Sequence, residues 1–298
     1  MRTNVVRAGM LVLALIPFAW GYSQALQGNP TRIDTPGILK QMTAPRWTVR
    51  SQAFSDARSL LSAGGSSGSD AEKLRLGIIN LLVLENVRSR ATDHSDIPEP
   101  DADAGSGEAR SDYYATLIET VADLGDERAI PALLSAAGSG GFATRGVARF
   151  GTRAIDLVVR QVRGPDLRLA ADALWVIRDM LAFHTVKDRE SLARLKETLR
   201  FAVASPDSHV RKCALYAIEY LGDREEFMPI LTEIAANDPA KINPLALANP
   251  NAGGFYPVRH QASLLLNKIK NHEPVPMAQM EITPWPDTAE SGTRAKTQ

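Results

Sequence analysis

The sequence contains a single cysteine, few aromatic residues and no excess of charge of either sign. With Cys213 as the only cysteine among 298 residues, an internal disulfide is impossible and the fold must depend on packing. Its position favours a small buried residue, although the adjacent Arg211 and Lys212 leave a reactive thiol as the alternative. Aromatic residues make up only 6% of the chain, while Ala and Leu predominate. This composition suits closely packed helices better than sheets.

Familiar catalytic and metal-binding motifs are also missing. The sequence has no His-Glu-x-x-His and no paired cysteines, and its five histidines are scattered without a recurring partner. The Gly-rich stretch at Gly138 lacks the Gly-Lys-Ser/Thr of a phosphate loop. The sequence therefore predicts a protein that is not an enzyme, with no catalytic residue, no metal ligand and no cofactor.

Residues 1–25 have the three parts of a secretory signal peptide. Arg2 and Arg7 supply the positive start, and residues 8–20 form an apolar run of 13 residues. That run is shorter than the roughly 20 residues of a helix that spans a bilayer. Ser23 and Ala25 then provide small residues for cleavage. We expect a periplasmic or secreted protein, cleaved near Ala25.

An uncleaved membrane anchor is the alternative, with Trp20 and Tyr22 at the membrane interface. Only in that case is the protein expected to associate with a membrane. Removal of the leader leaves 32 basic against 34 acidic residues, a formal charge of −2. This balance gives no electrostatic basis for binding nucleic acid.

One pattern recurs along the chain, and its clearest copy spans residues 206–231. The apolar positions of its first helix are Val210, Ala214, Ala217 and Leu221. Their steps of 4, 3 and 4 residues place them on one helix face. Gly222 then predicts the helix stop, and Asp223 with Glu226 predicts a capping box for the next helix.

The same frame returns at four other places in the chain. The copies are Val49-Arg50 with Ala53 and Leu60, Leu167-Arg168 with Ala171, Val258-Arg259 with Ala262, and an altered copy at 112–134 in which Tyr113-Tyr114 replaces Val-Arg before a Leu124-Gly125-Asp126 turn. The arginines Arg50, Arg168, Arg211 and Arg259 occupy equivalent positions. We expect them to be structural, for example by bonding a neighbouring turn Asp, with a ligand-binding row as the alternative.

These residues resemble the HEAT-like repeats, particularly the shorter variety named after the phycobilisome lyases. That pattern is Asp, Val-Arg, spaced alanines, Leu-Gly-Asp and an apolar second helix. The resemblance covers about residues 46–270 except two loops. It implies an all-α protein, an α-solenoid of stacked helical hairpins. It indicates a fold and not a reaction.

The pattern predicts five hairpins and a final helix. Their expected bounds are 46–62 with 70–90, 111–124 with 127–137, 142–150 with 152–163, 166–182 with 188–204 and 207–221 with 223–236, followed by 257–270. Ser69 and Glu72 predict a second capping box. The apolar run at 74–84 is expected to be buried on most sides.

Four segments lie outside this pattern. We expect residues 26–45 to form a linker or loose cap and residues 271–298 to form a Pro-rich disordered tail. Long internal loops are expected at 91–110 and 238–255. The first is rich in carboxylates that suit calcium, but its spacing departs from an EF-hand, so a solvated acidic loop is the favoured interpretation.

Candidate partner-binding residues lie where the repeats differ from one another. They are Arg145, Arg149, Arg153, Tyr113, Tyr114, Phe255 and Tyr256. The three arginines recur every four residues and suit acidic peptides or the acid groups of a polysaccharide. A solvated face balanced by Asp156, Asp166 and Asp172 is the alternative. Phe255 and Tyr256 either contact a partner or fold back onto the last helix.

We therefore predict a noncatalytic, monomeric interaction scaffold of the cell envelope that binds a protein or peptide segment along its helices. One alternative is a chromophore lyase or isomerase similar to the phycobilisome enzymes. The leader argues against it, because those enzymes work in the cytosol. Another alternative is a structural module of an envelope assembly.

Overall fold

The computed structural model describes residues 34–62, 68–90, 108–242, 254–278 and 281–285. Its α-helices are α1 Thr35–Met42, α2 Trp47–Ser62, α3 Ser69–Arg90, α4 Glu108–Asp123, α5 Ile130–Ser135, α6 Gly141–Ala148, α7 Ile155–Val162, α8 Leu167–Ala182, α9 Arg189–Val203, α10 Ser208–Ile218, α11 Met228–Asn237 and α12 Pro257–Lys270. Short 3₁₀ turns lie at Glu127–Ala129, Ala137–Ser139, Gly151–Ala154 and Arg224–Phe227. No β-strand occurs in the described ranges, where one isolated bridge joins Ile242 to Phe255.

The helices stack as two layers of a solenoid. In one layer α2, α4, α6, α8, α10 and α12 contact each other in that order, and in the other α3, α5, α7 and α9 do so. Each second helix of a hairpin also packs against the first helix of the following hairpin, from α3 on α4 to α11 on α12. Each hairpin therefore buries its apolar face against its neighbours, and the predicted all-α solenoid is confirmed.

Small residues allow the helices of the first layer to approach closely. Ala214 and Ala217 of α10 and Ala171 of α8 are buried, as the repeat pattern predicted. Gly146 of α6 lies so near α4 that an added Cβ would stand 2.8 Å from the Cβ of Ala122. A larger side chain at these positions would push neighbouring helices of this layer apart and weaken their packing.

The first apolar position of the repeat is buried to different extents in different copies, unlike the repeat's alanines. Val210 and Val258 are buried, whereas Val49 is 36% exposed and Leu167 is 42% exposed. The run at 74–84 also differs from expectation, because Val83 and other residues of that face of α3 are exposed. The apolar pattern identified these helices but did not fix how much of each face is covered.

Two predicted capping boxes do not form. Asp223 stands at the N-cap of the 224–227 turn but makes no side-chain cap hydrogen bond, and its carboxylate bonds Lys196 instead. The carboxylate of Glu72 accepts from Arg128 at 2.5 Å rather than reaching back to Ser69. In both cases a cation from another element outcompetes the local backbone N–H.

The predicted helix stop at Gly222 is also misplaced. Helix α10 already ends at Ile218, and Gly222 is not among the glycines with positive φ. In the corresponding turn after α4, Gly125 does adopt a left-handed conformation, with φ of 62°. The two Leu-Gly-Asp turns therefore end their helices differently.

Part of the expected linker at 26–45 forms helix α1. Asp34 caps it by accepting from the N–H of Gly37 at 3.1 Å, and Met42 at its end is fully buried. Thr35 donates to the carbonyl of Asp70 at 3.0 Å, which ties α1 to α3. This segment closes the first end of the solenoid, where a terminal repeat needs a cap. Residues 1–33, including the predicted leader, lie outside the described residues.

Candidate functional site

The predicted arginine strip lies at the end of α6 and in the turn that follows. Arg145 belongs to α6, Arg149 follows its last residue, and Arg153 lies in the 151–154 turn. All three side chains are half-buried. Because α6 ends at Ala148, the spacing of four does not continue along one helix face. The strip instead bends around a helix end.

The chain's own C-terminal segment crosses two of these arginines. The N–H of Trp285 donates to the carbonyl of Arg149 at 2.8 Å, and Arg149 Nε donates to the carbonyl of Thr283 at 3.1 Å. Arg153 Nη2 donates to the carbonyl of Trp285 at 3.0 Å. The expectation of disorder throughout 271–298 does not hold for residues 281–285, because these main-chain bonds hold them on the solenoid. Residues 286–298 lie outside the described residues.

Trp285 fills a slot between two repeat turns. The guanidinium carbon of Arg149 lies 3.9 Å from the centroid of its ring, a cation–π contact. On Gly125, an added Cβ would stand 3.0 Å from two ring atoms of Trp285. The left-handed turn at Gly125 thus leaves room for an indole that any larger residue would obstruct.

Acidic residues from the preceding hairpin hold the arginines in place. Arg149 Nη1 lies 3.1 Å from Asp123 Oδ1, and Arg153 Nη1 lies 2.9 Å from Glu127 Oε1. Two of the expected counter-charges act elsewhere: Asp156 pairs with Arg194 and Asp166 caps α8. Arg149 and Arg153 contact residues 283 and 285 through main-chain carbonyl groups and the indole ring. Such contacts favour an extended peptide over a polyanion as the ligand.

Arg145 stands apart from these contacts. Its guanidinium lies 5.2 Å from the centroid of the exposed Phe142 ring, within the same helix. The structure therefore joins two of the three predicted arginines at one site.

The tail reaches this slot by running back along the solenoid from α12. Arg224, which is buried, donates to the carbonyl of Glu273. Val275 then lines a cleft of about 800 Å³ between α9 and the turn before α11. In the cleft, Lys196 pairs with Glu226 at 2.5 Å and also bonds Asp223. Residues 273, 275, 283 and 285 of the tail thus contact several different hairpins.

The two tyrosines in the altered repeat serve packing. Tyr113 is buried, with its ring 5.9 Å from that of Phe54 and 4.6 Å from the guanidinium carbon of Arg50. Burial raises the pKa of Tyr113 to about 12, and its hydroxyl bonds no described residue. Tyr114 donates to Asn86 Oδ1 at 2.6 Å. Tyr113 is therefore not placed to meet a partner, contrary to the prediction, because it fills the core beside α2.

Phe255 and Tyr256 fold back onto the start of α12. Phe255 forms the bridge to Ile242 and lies 5.3 Å from the ring of His260, although it remains 42% exposed. Tyr256 is the residue before α12, and the guanidinium carbon of Arg259 lies 4.1 Å from its ring centroid. This arrangement matches the second interpretation, in which the pair caps the last helix.

Most of the repeated arginines have the structural role expected of them. Arg211 forms a two-pronged ion pair with Asp238, at 2.6 and 2.9 Å. Arg168 is exposed. The others also bond main-chain carbonyls: Arg211 bonds that of Ser205 at 2.8 Å, Arg50 that of Ala44, and Arg259 that of Asp238 at 2.6 Å.

The other candidates from the sequence are Cys213 and the acidic loop. Cys213 is buried, and burial raises its pKa to about 12, as expected of a structural residue. Residues 91–107 of the acidic loop lie outside the described residues. Among the described residues no group of His, Cys, Asp or Glu is arranged to hold a metal ion. No helix in those ranges is both long and apolar enough to span a bilayer.

The sequence pattern missed Trp285, Ile282 and Gly125 as site residues. Ile282 and Trp285 pack against the hydrophobic core although both belong to the expected disordered tail. The available signal was a tryptophan and an isoleucine within a Pro-rich segment at the end of the chain. Covering large apolar side chains of this kind removes them from water and stabilises the folded chain.

No protein-family model and no curated protein sequence matches this chain. Among solved structures, a designed armadillo repeat protein in complex with the peptide (KR)4 is 14% identical with a TM-score of 0.34; the alignment covers 79% of this chain and 99% of that one. An engineered protein is 15% identical with a TM-score of 0.32, over 80% and 97% of the two chains. These likenesses are too distant to carry an argument. The assignment as a helical-repeat protein rests on its own stacked hairpins.

Proposed function

We propose that this protein is a noncatalytic scaffold of HEAT-like hairpins, exported to the cell envelope, that binds an extended segment of another protein. One observation carries the proposal: residues 281–285 lie on the solenoid as a bound peptide would. Their main chain bonds Arg149 and Arg153, and their tryptophan fills the slot at Gly125.

The chemistry of these contacts suits a peptide ligand. Carbonyl and N–H groups are common to every extended chain, so bonds to them support binding of segments with varied sequence. A single aromatic side chain in a desolvated slot then supplies much of the affinity and specificity. The Asp123 and Glu127 pairs orient both guanidiniums, which lowers the ordering cost of binding.

Partner capture tests this function. Full-length protein, the Arg149→Glu/Arg153→Glu variant and the matched control Arg145→Glu are immobilised and exposed to an envelope extract, and the captured proteins are quantified by mass spectrometry. We expect the double variant to lose at least about tenfold of specific capture, a loss of about 1.4 kcal/mol of binding free energy. The control should retain it, because Arg145 contacts Phe142 rather than the tail.

Circular dichroism establishes that all three proteins keep the same helicity. Equal capture by the double variant and the wild type would remove this surface as the binding site. Loss of capture in the control alone would point to the Phe142 face of α6.

A further inference from the structure

The slot at Gly125 and Arg149 is shaped for one kind of side chain. Gly125 meets the six-membered part of the indole, because a Cβ there would stand 3.0 Å from Cδ2 and Cε3 and 3.2 Å from Cε2 of Trp285. Arg149 lies 3.9 Å from the ring centroid. Of the aromatic side chains, tryptophan offers the best cation–π partner and the largest apolar area.

The main-chain bonds around the slot have a gap at residue 284. The carbonyl of Thr283 accepts from Arg149, and both the N–H and the carbonyl of Trp285 are bonded. Residue 284 is a proline and has no N–H to offer. A proline at that position also restricts the unbound segment toward extended backbone, which lowers the entropy lost on docking.

The slot is built by the solenoid rather than by the tail. Arg149 is paired with Asp123, and Arg153 is paired with Glu127 and donates to the carbonyl of Phe150 at 3.4 Å. The left-handed turn that makes Gly125 available belongs to the junction of α4 and α5. A preformed site of this kind accepts any chain that presents the same groups.

We propose that this slot recognises a Pro-Trp pair on an extended segment of a partner protein, and that Pro284-Trp285 fills it in the free protein as an internal competitor. This inference rests on the proposed function and names the partner's chemistry. A tethered segment acts at an effective concentration on the order of millimolar. The partner therefore binds only by displacing the tail. Its apparent affinity is the intrinsic affinity multiplied by the fraction of molecules whose slot is vacant.

Fluorescence anisotropy with a labelled Glu-Ile-Thr-Pro-Trp-Pro peptide tests the inference. The proteins are the full-length wild type, Trp285→Ala, Trp285→Ala with Arg149→Ala, and Trp285→Ala with Arg145→Ala as matched control. We expect Trp285→Ala to bind the peptide about tenfold more tightly than the wild type. The further Arg149→Ala change should abolish the gain, and Arg145→Ala should preserve it.

A peptide with Ala in place of Trp should not distinguish the proteins. The inference would be overturned if the Trp peptide bound wild type and Trp285→Ala with equal affinity. It would also be overturned if the Ala peptide bound Trp285→Ala as tightly as the Trp peptide does. Analytical ultracentrifugation completes the test. If the wild type forms dimers that the peptide dissociates, the tail of a second copy fills the slot. That result would overturn competition by the protein's own tail. If the peptide fails while Arg149→Glu/Arg153→Glu still loses envelope partners, the scaffold stands and only the Pro-Trp preference falls.

Discussion

The guanidinium of Arg211 and the carboxylate of Asp238 meet below the surface, where both side chains are buried. Burial alone would raise the pKa of Asp238. The hydrogen bonds from Arg211 and from the N–H of Ala240, together with the charge of Arg211, outweigh burial and hold that pKa below its usual value. Nη1 of Arg211 also donates to the carbonyls of Ser205 at 2.8 Å and Pro206 at 2.9 Å, so four of the five N–H donors of the guanidinium have acceptors.

The Asp238→Asn variant should lose about 3 kcal/mol of unfolding free energy at neutral pH, because it leaves Arg211 buried without its anion. The folded pKa of Asp238 lies below the unfolded one, so the pair stabilises the wild type fully above about pH 4 and less as the pH falls further. Urea unfolding between about pH 7 and pH 3 measures this. The free energy of unfolding should fall less steeply with decreasing pH in the variant than in the wild type.

Asp156→Asn is the control for this measurement. Asp156 is exposed and pairs with Arg194 at 2.5 Å. Its loss should change the unfolding free energy by less than about 1 kcal/mol. If the free energy of unfolding of Asp238→Asn fell with decreasing pH as steeply as that of the wild type, other carboxyl groups would control the pH dependence.

Among the elements, helices α10 and α11 begin after aspartates that look alike in sequence but act differently. Asp207 accepts from the N–H of Val210 at 2.9 Å and caps α10. Asp223 makes no cap bond and lies with Glu226 around Lys196, which belongs to the preceding hairpin. The first aspartate stabilises its own helix, and the second joins two hairpins.

Alanine at each position separates these roles. Asp207→Ala should cost about 1 kcal/mol, the usual loss for an N-cap. Asp223→Ala should cost about 0.3 kcal/mol, because the Asp223 side chain is exposed and Lys196 keeps Glu226 as a partner. Denaturant melts of both variants check the difference, and a larger cost for Asp223→Ala would contradict the assignment of the caps.

For the whole molecule, the solenoid supplies a continuous surface along which the tail returns. Thr144 donates to the buried Asp179 at 2.5 Å, a polar tie between α6 and α8 inside the core. In the tail, Glu273 contacts Arg224, Val275 lines the cleft beside α9, and Trp285 docks at the end of α6. No single hairpin holds this surface, so the proposed binding function depends on the stacked array.

Export of the whole protein is the remaining prediction. If residues 1–25 are a signal peptide, the mature protein begins at Leu26 and fractionates with the periplasm or the medium. N-terminal sequencing of fractionated protein measures this directly. An intact Met1 in the cytosol would exclude export, and an intact Met1 in the membrane fraction would establish the anchor.

Much of the architecture was predictable because helices are encoded locally. Apolar spacing and turn residues predicted the five hairpins, and α12 has the predicted bounds of 257–270. Arg149 and Arg153 depart from the repeat pattern, which predicted them as site residues, and the structure brings both to one site. Tyr113 departs from the pattern in the same way, yet it is buried, because departure from a repeat does not reveal the direction in which a side chain points.

By itself the sequence determined the helices and their order, since backbone bonds and apolar periodicity involve residues only a few positions apart. Only the tertiary structure decided which polar groups meet. Lys196 outcompetes a helix start for Asp223, and Arg153 reaches the carbonyl of Trp285 from 132 positions away. Contacts at that separation depend on how the hairpins stack and on where the chain returns, and no local pattern encodes either.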